Sequence, residues 1–414
     1  MSNIYGLLGR TLGHSYSPEI HSLLGFAGNK RYQYDLFEKE PEEISALLET
    51  ENLRGLNVTI PYKKTILAFC DEMSSEVLRI GAANTIIKKD GKIKAYNTDI
   101  YGFRYMVYAS GIRVGNKKVL VLGSGGASRA VICALEDLGA GEIVVISRDG
   151  EDNYQNISKH ADADIIVNTT PVGMYPNNLE SPVDLDVFSN LSGVLDIVYN
   201  PEITGLLLAA EEKGIPHLGG IYMLVAQAKA TYELFTDKKI PEKAINEIVI
   251  ALQNTQENII LIGMPGCGKT TIAKALSSAI GRNVIDTDEK IENRVNMSIP
   301  KIFKKYGEEY FRKLEHQVIL EYGKLSGQIL SLGGGAVLDP SNYAPLHQNG
   351  KIIFIHRDNL KLATNGRPLS KSPKALKEMQ EIRYPLYHRF ADIEVSNDSS
   401  LDVVVKEILS KISK

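Results

Sequence analysis

Two glycine loops of different design are built to cradle phosphate, and they accept different nucleotides. The first, Gly123-Ser124-Gly125-Gly126-Ala127, follows the apolar run Lys118–Leu122 and opens a helical pattern. Glycines so placed allow a tight turn and close approach of the backbone to a pyrophosphate, and the helix N-terminus adds partial positive charge. That layout suits a dinucleotide and therefore hydride chemistry. The second loop runs from Gly263 through Gly266, Cys267 and Gly268 to Lys269, Thr270 and Thr271, after the strand-like Asn258–Ile262. Its backbone N–H groups can wrap a β-phosphate, Lys269 can reach the β/γ oxygens, and the Thr270 hydroxyl can bind Mg2+. This loop points to phosphoryl transfer from a nucleoside triphosphate, with Cys267 a passive member. Two catalytic units share one polypeptide.

The elements that must hold these loops can be read from hydrophobic periodicity. Short β-rich runs at Val119–Leu122, Ile143–Ile146, Ile165–Val167 and Val194–Val198 alternate with helical patterns, which predicts βαβ units and a parallel sheet. The second of these runs ends at Ser147-Arg148, where a ribose would lie. A guanidinium there favours the 2′-phosphate of NADP; Asp149, Glu151 and Asp152 beside it keep NAD open. Residues 1–100 carry shorter mixed segments and predict a separate α/β lobe. A helix is expected from Pro241, with Ile245, Ile248, Val249 and Leu252 on one face, decaying into a polar stretch from Gln253. Strand and helix patterns then restart and run to the end, about the size of a small-metabolite kinase.

The chain has 414 residues and a formal net charge of −3, too long for one core and too balanced to favour nucleic acid or an anionic membrane. Small-molecule partners are expected, and a homo-oligomer is compatible with the sequence. Cys70, Cys133 and Cys267 fit neither a disulfide framework nor zinc-ligand spacing, so a cytoplasmic setting is expected. The start lacks a basic-then-apolar leader, and no run is long and apolar enough to span a bilayer.

Several stretches of the first half resemble shikimate dehydrogenase. Gly13-His-Ser-Tyr-Ser-Pro18 is similar to that family's opening substrate motif, Asn57-Val-Thr-Ile-Pro-Tyr-Lys63 to its central signature, and Gly81–Thr85 and Asn97-Thr-Asp99 to two further elements. Asn168–Met174 resembles the loop facing the nicotinamide, and Gly219–Gln227 the closing helix. The resemblance implies a substrate site of Ser15, Ser17, Asn57, Thr59, Lys63, Asn84, Asp99, Tyr199 and Gln227. It also implies that Thr169, Gly220 and Met223 join Gly123–Ala127, Ser147 and Arg148 around the cofactor. Shikimate is a polyhydroxylated ring carboxylate, which hydroxyl and amide side chains can satisfy. Hydride delivery to a ketone generates alkoxide character that needs a proton, and Lys63, oriented by Asp99, is the candidate donor. A structural role is expected for His14 and His21. One departure bears on cofactor choice: where the family often carries a second arginine after Arg148, this chain has Asp152.

The second half resembles shikimate kinase. Asp286-Thr-Asp288 looks like that family's Asp-x-Asp element, with Asp286 near Mg2+ and Asp288 on the acceptor hydroxyl. Gly307–Glu315 resembles its acceptor helix, with Arg312 on the carboxylate. Gly333-Gly334-Gly335 is similar to its substrate-side glycine run, Gly366-Arg367-Pro-Leu to its lid and Arg383–Tyr387 to its later arginine motif. Two arginines can clamp a carboxylate while Arg367 neutralises charge on the transferring phosphoryl group. The span from Arg367 to Arg383 is a few residues shorter than is usual in that family.

Together the resemblances imply an α/β protein. A substrate lobe (1–102 and 222–252) and a Rossmann-type NADP domain (103–221) come first, then a linker (253–257) and a P-loop kinase domain with a parallel sheet (258–414). The implied activities are NADPH-dependent reduction of 3-dehydroshikimate and Mg-ATP-dependent phosphorylation of the shikimate formed. An NAD-dependent quinate/shikimate dehydrogenase, or one half reduced to a metabolite sensor, are the other readings. No Asn-Lys-x-Asp guanine-reading motif is present.

Overall fold

Three sheets organise the chain in the computed structural model, which describes residues 3–13, 15–358 and 373–413. The chain divides into two compact units, one built mainly from residues up to Leu252 and the other mainly from Gln253 onward. The first unit begins with β1 (Ile4–Gly9), β2 (Gln33–Glu38), β3 (Leu53–Val58), β4 (Glu72–Met73), β5 (Thr85–Lys89) and β6 (Lys92–Tyr96). They form one mixed sheet in the order β2-β1-β3-β5-β6-β4. The β5–β6 hairpin turns on Asp90-Gly91, both at positive φ (52° and 76°), the backbone that a two-residue hairpin demands.

The expected parallel sheet follows: β7 (Lys118–Leu122), β8 (Glu142–Ile146), β9 (Ile165–Asn168), β10 (Gly193–Asp196) and β11 (His217–Gly219). Its order is β11-β10-β9-β7-β8, with every pairing parallel. Leu120, Val121 and Leu122 are fully buried, as expected of a central strand covered on both faces.

Between the two sheets, the sequence-based division at 102/103 falls inside a continuous helix, Asp99–Ser110. Phe103, Met106 and Val107 pack with Val119, Val121 and Ala130 of the dinucleotide region, while Tyr105 joins Ile20, Leu24 and Tyr232 on the other side. The helix serves both cores, so no boundary can pass through it. It lies close against the helix Ile221–Thr236 at Gly102, where a Cβ would stand 2.6 Å from the Met223 carbonyl oxygen.

The expected linker is also different in kind. The helix Lys243–Gln256 continues through the polar stretch, and a strand starts at Asn258. Neither glycine nor proline interrupts residues 253–256, so the backbone has no reason to leave the helix.

The second unit is a parallel sheet of β12 (Asn258–Ile262), β13 (Val284–Asp286), β14 (Ile329–Ser331), β15 (Gly350–His356) and β16 (Ile393–Ser396), ordered β13-β14-β12-β15-β16. The phosphate loop leaves the central strand and enters the helix Lys269–Ile280. One long helical segment, Ile299–Gly323, is two helices broken at Gly307, whose φ of 82° only glycine adopts freely.

Two candidate active sites

In the first unit, the loop after β3 and the start of the helix Asp99–Ser110 bring Lys63 and Asp99 together. Lys63 Nζ donates to Asp99 Oδ2 at 2.7 Å, with side chains 20% and 9% exposed. The other carboxylate oxygen accepts from Asn84 Nδ2 at 2.8 Å, and Asn84 Oδ1 accepts from the Thr98 N–H at 2.8 Å. Gln227 reaches the same cluster from the helix Ile221–Thr236, its Oε1 3.3 Å from the Thr98 hydroxyl. Asp99 is therefore held from two sides, leaving the ammonium as the group that can act on a ligand.

Asn57 sits within a hydrogen-bonded cluster of side chains. Its Nδ2 donates to Thr231 Oγ1 (3.1 Å) and Thr85 Oγ1 (3.2 Å), and its Oδ1 accepts from the Tyr34 hydroxyl (2.8 Å) and contacts His21 Nε2 (3.1 Å). The Asn57 side chain is 5% exposed. His21 is buried and stacked on Tyr34 at 4.0 Å, and burial lowers its pKa to about 3, so it is neutral. That is the structural role expected for it; His14 lies outside the described residues. Ser15 Oγ accepts from the Ser17 N–H at 3.2 Å, which fixes both serines in one turn. Thr59 follows β3 directly, its N–H donating to the Leu8 carbonyl at 2.9 Å. Tyr199 packs on Tyr16 with ring centroids 5.3 Å apart.

The glycine loop fits a dinucleotide by its empty spaces. Gly123 has φ 103°, and a Cβ there would press on Thr169 and Thr170; at Gly125 and Gly126 a Cβ would meet nothing within 4 Å. The loop thus offers bare backbone on its open side, with Ser124 and Ala127 on either flank. Ser128 Oγ donates to the Gly125 carbonyl (2.7 Å) and Thr169 Oγ1 to the Leu122 carbonyl (2.7 Å), which rigidifies the turn. Gly220 sits against the Ile197 carbonyl with no room for a side chain, and Met223 is buried one turn later. Arg148 is exposed just after Ser147, while Asp152 is engaged by His160 Nε2 at 2.9 Å. Of the acids crowding Arg148, this one already has a partner.

In the second unit, Gly263, Gly266 and Gly268 adopt φ of 145°, 88° and 102°, the conformations that let successive N–H groups converge. Lys269 Nζ donates to the carbonyls of Gly263 (2.9 Å) and Met264 (3.1 Å). Thr270 Oγ1 donates to Asp286 Oδ2 at 2.8 Å, and Asp286 Oδ1 caps the helix Thr287–Val295. Hydroxyl and carboxylate oxygens side by side are the hard donors that suit Mg2+.

A cavity of about 570 Å3 opens beyond the loop, lined by Lys269, Asp286, Asp288, Arg312, Glu315 and Arg383 among others. Arg312 donates to Glu315 Oε2 (2.6 Å) and Glu308 Oε1 (2.9 Å). Arg383 Nη1 (2.9 Å) and the Tyr387 hydroxyl (2.5 Å) both donate to the Gly334 carbonyl. The glycine run lets these groups close in: a Cβ on Gly333 would meet Glu315 and Asp288, on Gly334 the Pro265 ring, and on Gly335 the Arg312 guanidinium. Arg367 and the lid around it lie outside the described residues.

Glu315 is the functional side chain that sequence reasoning left without a role. It is 1% exposed, burial pushes its carboxyl up to about 7, and its Oε1 has no hydrogen-bond partner. The signal was there in its position three residues after Arg312, which puts both on one helix face.

Comparison with known proteins decides what these sites belong to. The family model for shikimate dehydrogenase substrate binding domain matches residues 7–86, and the one for shikimate kinase matches residues 265–413. Shikimate dehydrogenase (NADP(+)) of Clostridium beijerinckii is 37% identical over 265 residues, spanning 60% of this chain and 98% of that protein. The chain belongs to the shikimate dehydrogenase family. A chorismate mutase/shikimate 5-dehydrogenase fusion protein from Clostridium acetobutylicum superposes on this dehydrogenase with a TM-score of 0.59 at 38% identity, covering 61% of this chain and 98% of that one. Shikimate 5-dehydrogenase from Thermus thermophilus, solved with NADP(H) and shikimate, does so with a TM-score of 0.55 at 30% identity, covering 60% and 98%. With its kinase domain, this dehydrogenase is a bifunctional shikimate-pathway enzyme.

Proposed function

We propose that the dehydrogenase half reduces 3-dehydroshikimate to shikimate with NADPH and that the kinase half phosphorylates the 3-hydroxyl of shikimate with Mg-ATP. The observation that carries this reading is chemical: a cluster of hydroxyl and amide side chains around the Lys63–Asp99 pair, and a cavity of arginines and carboxylates beside a phosphate loop, suit one shared compound. In the first site Ser15, Ser17, Asn57, Thr59, Asn84, Tyr199 and Gln227 offer hydrogen bonds to the ring hydroxyls and carboxylate. Lys63 gives a proton to the alkoxide that forms at C3, and Asp99 holds the ammonium in place. Gly123–Ala127 would hold NADPH, with Arg148 at its 2′-phosphate, and the bound cofactor would supply the hydride.

In the kinase half Asp288 orients the acceptor hydroxyl and takes its proton, while Arg312 and Arg383 hold the carboxylate. Lys269 and the backbone of residues 263–271 bind the phosphates, and Arg367 of the lid neutralises the transferring group. Thr270 and Asp286 would hold Mg2+, which would supply charge neutralisation for the phosphates. We place the enzyme in the cytoplasm, the compartment that suits its three free thiols; among the described residues no helix is long and apolar enough to cross a membrane.

The test is a coupled assay with 3-dehydroshikimate, NADPH and Mg-ATP, following NADPH loss and shikimate 3-phosphate together. Both signals are expected; a well-folded protein that gives neither overturns the proposal. Kinetics with NAD and quinate decide the reading that Asp149 favours: NAD preferred over NADP would replace the cofactor assignment and leave the kinase untouched.

A further inference from the structure

Three cations of the kinase cavity have protein partners: Lys269 with two loop carbonyls, Arg312 with two glutamates, Arg383 with the Gly334 carbonyl. A fourth does not. Arg357 lines the same cavity, makes no ion pair among the described residues, and has its Nε enclosed by protein without a hydrogen-bond partner. With no carboxylate paired to it among the described residues, the guanidinium is left to complement an anion that enters the cavity.

The strand order says which anion. Asp286, Asp288 and Gly333–Gly335 follow β13 and β14, on one side of the central β12 and its phosphate loop. Arg357 follows β15, on the other side. There the phosphate loop rests directly on the strand end: a Cβ on Gly263 would collide with the Ile355 carbonyl oxygen. The turn after β16 completes this flank, with the Asn397 N–H donating to the His356 carbonyl (2.8 Å) and Asn397 Nδ2 to the Cys267 carbonyl (2.7 Å). The acceptor alcohol's residues are thus on the β14 side, and Arg357 is on the side left to the nucleotide.

We propose that Arg357 is a nucleotide-binding residue that holds the phosphate tail of ATP against the loop Gly263–Thr270. The proposal rests on the kinase reading and adds to it a residue that no motif pointed to. A planar guanidinium can take two phosphate oxygens at once, which a lysine cannot.

The test uses the full chain, with Mg-ADP binding measured by titration calorimetry alongside steady-state kinetics of both activities. A lost charge-assisted contact corresponds to about a tenfold effect. Arg357→Ala and Arg357→Gln are each expected to weaken ADP and raise the KM for ATP by about that factor, with the KM for shikimate and the dehydrogenase rate unchanged. Arg357→Gln fills most of the same space, so a packing role alone would spare it. ADP binding by Arg357→Gln equal to that of the unaltered chain overturns the proposal. A rise in the KM for shikimate without weaker ADP binding overturns it as well. Absence of kinase activity in the unaltered chain would instead sink the reading on which it rests.

Discussion

The two pockets solve the problem of a buried polar site in opposite ways. Around Asp99 the supporting groups are neutral: Asn84, Thr98, Gln227, Thr231 and Asn57 share hydrogen bonds, and the His21 ring beside Asn57 stays uncharged. Around Gly333 they are ionic: Asp288, Arg312, Glu315 and Arg383 converge within one cavity, and Glu315 is driven toward protonation by burial. A ring of hydroxyls asks for direction, which amides and alcohols supply at little electrostatic cost. A phosphoryl group asks for charge, and keeping that charge in a cavity leaves some members close to their titration points.

The sharpest way to break this contrast is to remove one chemical group from each pocket. Lys63→Ala is expected to lower dehydrogenase kcat by about 10²–10⁴-fold while the kinase is unaffected, and Asp288→Asn to do the reverse. Rates of both half-reactions on each variant check this; if either substitution spares its own half, the assignment of roles falls.

A smaller effect probes the first pocket's cofactor. Arg148→Ala is expected to raise the KM for NADP by about tenfold and leave that for NAD within a factor of two, since only the 2′-phosphate contact is lost. Equal KM changes for both cofactors would remove Arg148 from that role.

The smallest effect concerns pH. With its carboxyl raised to about 7, Glu315 holds a proton in the folded kinase half that the unfolded chain releases near the ordinary 4.5. The associated stability is whole below about pH 4.5 and is lost as pH rises through 7. Thermal inactivation of the kinase should therefore ease toward pH 5 relative to pH 8. Glu315→Gln should flatten that slope and, at pH 8 where the carboxylate is ionised and anchors Arg312, raise the KM for shikimate about threefold to tenfold. An unchanged slope in the variant would assign the pH dependence elsewhere.

Much of this arrangement was legible in the chain. Strands with strong β-branched runs, such as Lys118–Leu122 and Asn258–Ile262, fall where periodicity puts them, because central strands of parallel sheets are apolar throughout. Both glycine loops were readable because Gly123, Gly263, Gly266 and Gly268 take backbone angles that glycine adopts most freely. The helix Asp99–Ser110 was cut in two by the reading because both its faces are apolar, and periodicity does not say that two different cores claim them. Gln253–Gln256 looked like a tether because its residues are polar, yet polarity alone does not end a helix. The hydrogen bonds of Asn57 run to Tyr34 and Thr231, 23 and 174 residues away, and nothing local in sequence reports such a meeting.

The His21 contacts have one more consequence. Asn57 Oδ1 can only accept, so Nε2 of the uncharged ring must carry the hydrogen, and Nδ1 must then receive the one from Tyr32, 2.5 Å away. The imidazole is locked as a single tautomer with a shielded N–H. Such a proton exchanges slowly with solvent and resonates far downfield in a spectrum, which gives the enzyme a native spectroscopic probe beside Asn57.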